Sequence, residues 1–290
     1  MALYALDEAR LVYAAEAKEK KIYRCAGCKS PVQVRKGPFR VPHYYHLGKS
    51  PTCRLYSKSE DHMLAQLFIQ AMLPPGEAFI EYPFLEVNRV ADVLWKPAKI
   101  IFEIQCSLMS PHEAQSRIHD YEKLGYKIVW ILDDHLYNRK MLKPAEKLIR
   151  NSTCYYATLR KQEKPFFYDQ FEMFYDTQRN FRGKRLPIAL NSPQILTCID
   201  WKPEHLPEQI VTKARIGMLY FHGDLIHRAK LTVQFSTYQL VMQNFRALEL
   251  QFQATKAQKR GMIQEHVLKW ILEPFGLFLF WLMEKAAEKR

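Results

Sequence analysis

No glycine-rich nucleotide-binding loop occurs in this sequence, so nothing in it points to a nucleotide-driven motor. It also has no internal repeat and no low-complexity tract. Acids are in short supply: 30 Asp and Glu against 43 Lys and Arg leave a net charge of +13. That imbalance points to a polyanionic partner, nucleic acid before an anionic membrane. The first residues, Met1 to Leu11, carry acids early and no long apolar run, so they fit neither a signal peptide nor a signal anchor. The chain is therefore expected in the cytoplasm, without stable membrane insertion. Its most apolar stretch, Trp270 to Met283, is short of a span and contains Glu273 and Pro274, so it reads as a core or docking helix. In a reducing compartment the six cysteines do not make a disulfide framework. Only Cys25, Cys28 and Cys53 are grouped as if for chemistry, while Cys106, Cys154 and Cys198 read as buried thiols.

Residues 1–56 read as a small, basic, β-rich module. Cys25-Ala-Gly-Cys28 is a knuckle whose short loop aims two thiolates at one point, and a later His and Cys complete a tetrahedron suited to structural Zn2+. His43 and His46 are three apart, which in extended chain sends them to opposite faces, so only one binds. The expected set is Cys25, Cys28, His46 and Cys53, with His43 as the substitute for His46. A reduced thiol pair with solvent-exposed histidines is the competing account. Four closed ligands leave no open position for catalysis, so the module is expected to hold a basic platform. Lys29, Arg35, Lys36, Arg40, Lys49 and Arg54 are its candidate phosphate contacts.

Residues 57–150 carry the motifs that point to chemistry. Ser59 caps a helix with an apolar stripe at 63, 64, 67, 68, 71 and 72, and Glu60, Asp61 and His62 form its first turn. These three reach toward a metal site, or the two acids simply serve the helix dipole. Ala78 to Glu86 reads as a strand. Val90 to Trp95 and Ile100 to Cys106 read as two more, joined by a turn at Lys96-Pro97-Ala98-Lys99. One carboxylate interrupts each of these apolar runs, Asp92 in the first and Glu103 in the second. Burying them is costly without compensation, and a divalent ion is the economical candidate. Glu103 and Gln105 share a sheet face by strand period, and Asp92 joins them if the register allows.

Ser110 then caps a helix running from Pro111 to about Leu124 and stopping at Gly125. Arg117 and Tyr121 lie four apart on one face of it. They are placed to meet DNA phosphate or groups behind the site, or they are an exposed Arg packed on a Tyr. Tyr126 to Leu132 is a buried-type strand, which makes that helix a right-handed crossover. Residues 151–290 form a C-terminal region. Residues 160–190 mix aromatics with bases, a composition that suits base stacking and equally suits aromatic core strands. From Leu231 the pattern is helical, with Thr232 to Lys259 the longest candidate.

In order and spacing these pieces resemble the competence protein CoiA family, within the PD-(D/E)xK nuclease superfamily. Those that carry the likeness are Leu3 to Glu8, Cys25-x-x-Cys28, Pro42 to His46, Ser59 to His62, Ala91-Asp92-Val93, Glu103 to Ser107, Tyr121 and Gly125-Tyr126-Lys127. It covers roughly the first half of the chain. The resemblance implies an α/β fold with a restriction-endonuclease-like αβββαβ core, an N-terminal zinc-binding β-rich module and a mostly helical C-terminal domain. It also implies a cytoplasmic protein of natural transformation that acts on incoming DNA and supports its recombination. Asp92 and Glu103 would then hold Mg2+ or Mn2+, Gln105 and Glu60 would complete a catalytic set, and Arg117, Tyr121 and His62 would meet DNA. The superfamily pattern ends in Lys; Gln105 offers neither positive charge nor a general base. Two functions stay open. One is a Mg2+-dependent deoxyribonuclease. The other is a non-cleaving adaptor on a degenerate nuclease core, passing single-stranded or recombination-intermediate DNA to a recombinase and other transformation proteins. An RNA-directed or membrane-associated role is a third.

Overall fold

The computed structural model describes residues 1–8, 10–38, 40–50, 53, 55, 58–160, 163–175, 177–198, 207–232 and 236–267. Arg54 and the apolar stretch 270–283, singled out above, lie outside the described residues.

Two sheets dominate. The first is antiparallel and five-stranded, in the order β2-β1-β3-β4-β5. Its strands are β1 (Tyr4–Asp7), β2 (Arg10–Tyr13), β3 (Ile22–Cys25), β4 (Pro31–Gly37) and β5 (Arg40–His46). Tyr23, Val32, Val34 and Tyr44 alternate inward from them and pack with Leu55 into a small core of their own.

From residue 60 to 133 the order is α-β-β-β-α-β, as the periodicity predicts: α1 (Glu60–Met72), β6 (Ala78–Phe84), β7 (Arg89–Trp95), β8 (Ile100–Gln105), α2 (Pro111–Lys123) and β9 (Lys127–Asp133). Ser59 Oγ accepts the His62 N–H at 3.2 Å, and Ser110 Oγ accepts that of Glu113 at 3.1 Å, so both helices start on the expected caps. Helix α2 stops because Gly125 takes φ +77, which lets Gly125 and Tyr126 donate back to the Glu122 and Tyr121 carbonyls.

The structure carries this sheet across residue 150. After α3 (Asp134–Tyr137) and α4 (Pro144–Ile149) come β10 (Thr153–Thr158), β11 (Phe166–Tyr175) and β12 (Gln178–Pro187). Together they make a seven-stranded mixed sheet, β12-β11-β10-β9-β8-β7-β6, in which β8, β9 and β10 are parallel. The aromatic stretch at 166–175 is therefore largely core: Phe167, Tyr168 and Phe171 are buried.

Each face of the large sheet has its own core. Met63 and Ile69 of α1, with Leu73 at its C-terminal cap, pack on Val93, Phe102, Ile104 and Ile131. Ala114, Ile118 and Tyr121 of α2 pack on Leu94, Ile101, Trp130 and Leu132. β13 (Ala189–Ile195) and β14 (Leu219–His222) form a third, two-stranded sheet on the α1 side, and Leu190 and Phe221 join that core. Helices α5 (Glu208–Lys213), α6 (Leu225–Thr232) and α7 (Ser236–Val267) accompany it, the last being the long helix expected near 232–259. Among the described residues no helix is long and apolar enough to cross a membrane.

Candidate functional site

Strands β7 and β8 pair from Trp95–Ile100 to Val93–Phe102 and then part. Where they part, a side chain replaces the missing backbone partner: Asp92 Oδ2 accepts the Ile104 N–H at 2.9 Å. Asp92 Oδ1 accepts from Lys58 Nζ at 2.7 Å, and lies 3.0 Å from His62 Nε2 and 3.3 Å from Gln66 Nε2. One turn of α1 supplies His62 and Gln66, and Lys58 directly precedes its cap. Burial alone would push the Asp92 carboxyl up, but the His62 and Lys58 charges beside it hold it well below the usual carboxylate range. Burial likewise works against the Lys58 charge, yet Asp92 and Glu81 outweigh it and keep the ammonium protonated.

Glu81 is the second residue that the sequence reading passed over, with Lys58. It lies opposite Asp92 in the β6–β7 register, between the pairs Ile80–Val93 and Tyr82–Ala91. Its φ of 53° is in the left-handed region, a strained place for a glutamate inside a strand. Three bonds hold it there: Oε2 accepts Leu3 N at 3.0 Å and Tyr4 N at 3.2 Å, and Oε1 is 3.3 Å from Lys58 Nζ. The signal that flagged Asp92, an acid inside an apolar run, was also present here between Ile80 and Tyr82.

Glu103 lies behind Asp92 and is buried. Tyr121 donates to its Oε1 at 2.8 Å, and Arg117 forms an ion pair with its Oε2. Burial pushes the Glu103 carboxyl up, Arg117 pulls it down and Asp92 pushes it up again; the balance is a raised value. Arg117 also reaches Glu113 at 2.9 Å. A divalent ion, the economical candidate for compensating the two acids, is not the sole source of positive charge: Lys58 lies beside Asp92, and Arg117 beside Glu103.

Three further expected site residues take the following places. His62 and Tyr121, read as DNA contacts, are buried and bonded to Asp92 and Glu103. Glu60, read as catalytic, turns the other way: its Oε1 accepts the Val41 N–H of β5 at 3.4 Å. Two residues apart on a helix lie about 200° round from one another, so Glu60 and His62 point to nearly opposite sides. Gln105 does face the site, with its Nε2 anchored on the Ser107 carbonyl at 2.6 Å.

An open cleft of about 430 Å3 fronts these groups, lined by Lys58, His62, Asp92, Gln105, Arg89 and Arg117 among others. Asp92 suits a hard divalent cation, being ionised and cleft-facing, but three of its four donors crowd Oδ1, so the room for an ion is on Oδ2 beside the Ile104 N–H. Glu103 suits one only when Arg117 and Tyr121 release it.

The second constellation is in the N-terminal sheet. One ligand atom from each of Cys25, Cys28, His46 and Cys53 lies within 4.8 Å of the others. Cys25 and Cys53 Sγ are 3.6 Å apart, close to the ~3.8 Å expected for two thiolates on one tetrahedral zinc. Cys28 Sγ is 3.2 Å from His46 Nε2. His43 is not in the cluster, because its ring turns inward and its Nδ1 meets the Val41 carbonyl at 2.8 Å. Burial pushes the Cys25 thiol up to about 12, whereas hydrogen bonds from Ser30, Ser50 and His46 overcome burial at Cys28 and bring it down to about 5. The donor set fits a structural zinc ion.

The description "Competence protein CoiA, nuclease-like domain" matches residues 59–197, and "Competence protein CoiA, N-terminal domain" matches residues 6–56. The chain belongs to the CoiA family. The family's N-terminal domain coincides with the Cys3His sheet, and its nuclease-like domain takes in the whole large sheet and also β13. No curated protein and no solved structure matches the chain.

Proposed function

We propose that this CoiA-family chain binds incoming DNA in the Asp92 cleft and hydrolyses its phosphodiester backbone with a divalent cation, in support of recombination. The observation that carries this reading is the ionised Asp92 held at the parting of β7 and β8, with Lys58 beside it on the cleft wall. Gln105 cannot supply the positive charge that a developing phosphorane needs, and Lys58 can. Gln105, fixed by Ser107, is left to orient a water or a phosphate oxygen. Arg117 has two carboxylate partners and a side chain 21% exposed at the cleft. An incoming phosphate offers it a third partner, bidentate and anionic, and Glu103 is freed as Arg117 turns to it. Bound Mg2+, held by Asp92 and the freed Glu103, would polarise the phosphate and activate water.

The test is cleavage of single-stranded and duplex DNA with Mg2+ or Mn2+. Wild type should cut, while Asp92→Asn and Lys58→Met should not, with circular dichroism unchanged for Asp92→Asn. One observation favours a second reading, a non-cleaving adaptor that hands DNA to a recombinase: both Glu103 oxygens are already taken. Tight DNA binding by wild type, with no cleavage under either metal, would decide for the adaptor.

A further inference from the structure

A second open cleft, of about 470 Å3, lies at the C-terminal end of β9 on the far side of α1's N-terminus from Asp92. The two clefts are neighbours. Gln105 partners Leu132 in the parallel β8–β9 ladder, so Cys106 on the wall of the first stands beside Asp133 on the wall of the second. The Cys106 thiol feels acids of both clefts, Asp133 and Asp61 of the second and Asp92 of the first. Asp61 and His62 are successive residues of α1, and their divergence sends one into each cleft.

Four arginines from three segments converge on this second cleft: Arg139 beyond α3, Arg160 beyond β10, and Arg182 and Arg185 on β12. Arg185 lies 3.3 Å from Asp134, which also accepts from Thr158 and Tyr168 and so is committed. The side chains of Arg160 and Arg182 are exposed and make no ion pair or hydrogen bond among the described residues. Charge on an edge strand wards off unwanted pairing, which accounts for Arg182 and Arg185. It does not account for Arg139 and Arg160, which come from connections. The wall also holds two acceptors without donors among the described residues, Asp61 Oδ1 and Asn138 Oδ1. A backbone phosphodiester satisfies the arginines but brings no donor to these oxygens. A nucleotide brings both, with its phosphates for the arginines and its amino-bearing base edge for the acceptors. A duplex shows such amino edges only along its grooves, whereas an unpaired strand can turn them into a walled cleft, and this favours a single strand.

We propose that this arginine cleft is a second nucleotide-binding site, taking the single strand that continues past α1 from the Asp92 cleft. The proposal rests on the DNA reading of the Asp92 site and extends it to strand path and strandedness. Fluorescence anisotropy of labelled oligonucleotides tests it, using the full chain and the double variant Arg160→Gln/Arg182→Gln. Both side chains are exposed and unpaired, so the variant should fold. For a single strand of ~15 nucleotides the variant should bind about tenfold more weakly, with a salt slope lower by about 1.4. For one of ~4 nucleotides, long enough for one cleft alone, affinity should be unchanged. If wild type binds DNA and the variant binds the longer strand equally well, or loses duplex affinity to the same degree, the second site is overturned while the Asp92 reading stands. If wild type binds no DNA at all, both fall together.

Discussion

Lys58 sits between two buried carboxylates, and that arrangement sets the energetics of the cleft. Removing its ammonium by Lys58→Met leaves Asp92 and Glu81 short of compensation, and breaking a buried pair costs about 3–5 kcal/mol. Denaturant titration should show a loss of that order, partly recovered in Lys58→Met/Asp92→Asn because the stranded charge is then gone. The pH dependence follows from the depressed Asp92 value. A carboxyl whose folded pKa lies below its unfolded one stabilises the fold above the unfolded value, about 3.9, and loses that contribution as pH falls below it. Stability of the wild type should therefore fall more steeply below about pH 4 than that of Asp92→Asn. Arg117→Ala should act in the opposite sense on metal: with Glu103 released, Mn2+ binding measured by electron paramagnetic resonance should tighten in the absence of DNA. No change in Mn2+ affinity would sink the exchange of Arg117 between Glu103 and phosphate. Asp92 and Glu103 were legible in the sequence because each breaks an apolar run. Lys58 was not, since a lone lysine before a helix cap has no periodic signal and its partners are 23 and 34 residues away.

At the level of elements, α1 is the part that aims the site, because Lys58, His62 and Gln66 all reach Asp92 from its first two turns or just before them. Its direction depends on the Ser59 cap. Ser59→Ala should cost about 1 kcal/mol in stability and fray the turn that carries His62. The expected signature is a larger loss of cleavage or DNA affinity than that stability change alone would give, measured well below the melting temperature. Both helices, the three-strand run and the β9 crossover could be read from caps, stripes and turn residues. The extension of the sheet through β10, β11 and β12 could not. Parallel pairing of β9 with β10 is a contact made across two short helices, and the aromatic-basic composition of β11 and β12 fits a nucleic-acid surface as well as a core. Burial decided between them: β11 turns Phe167 and Tyr168 inward, while β12 keeps Arg182 and Arg185 at the edge.

Across the whole molecule, the zinc-type module is tied to the cleft rather than tethered beside it. Ala2 exchanges two backbone hydrogen bonds with Tyr44, and the next two residues donate their amides to Glu81, which in turn holds Lys58. Cys53, a member of the metal cluster, and Leu55 both line the Asp92 cleft. Glu60 at the start of α1 is bonded to β5. Four protein ligands would leave a zinc ion no open position, so its removal should leave the chemistry untouched unless the module shapes the cleft. These links mean that it does. Stripping zinc with a chelator, or the substitution Cys25→Ser, should unfold the small sheet, whose core is too slight to stand without a staple. Glu81 would then lose two of its three bonds and leave the left-handed region, and Lys58 would lose one of the two carboxylates that hold it. An ångström of displacement at a catalytic group can cost about a hundredfold in rate, so cleavage should fall by that order while the large sheet stays folded. Hydrogen exchange reads the two effects separately: protection should vanish over residues 2–46 and persist over β8 and β9. Full activity with the small sheet unprotected would show the module to be a passenger, and the path from zinc through Glu81 to Lys58 would be refuted.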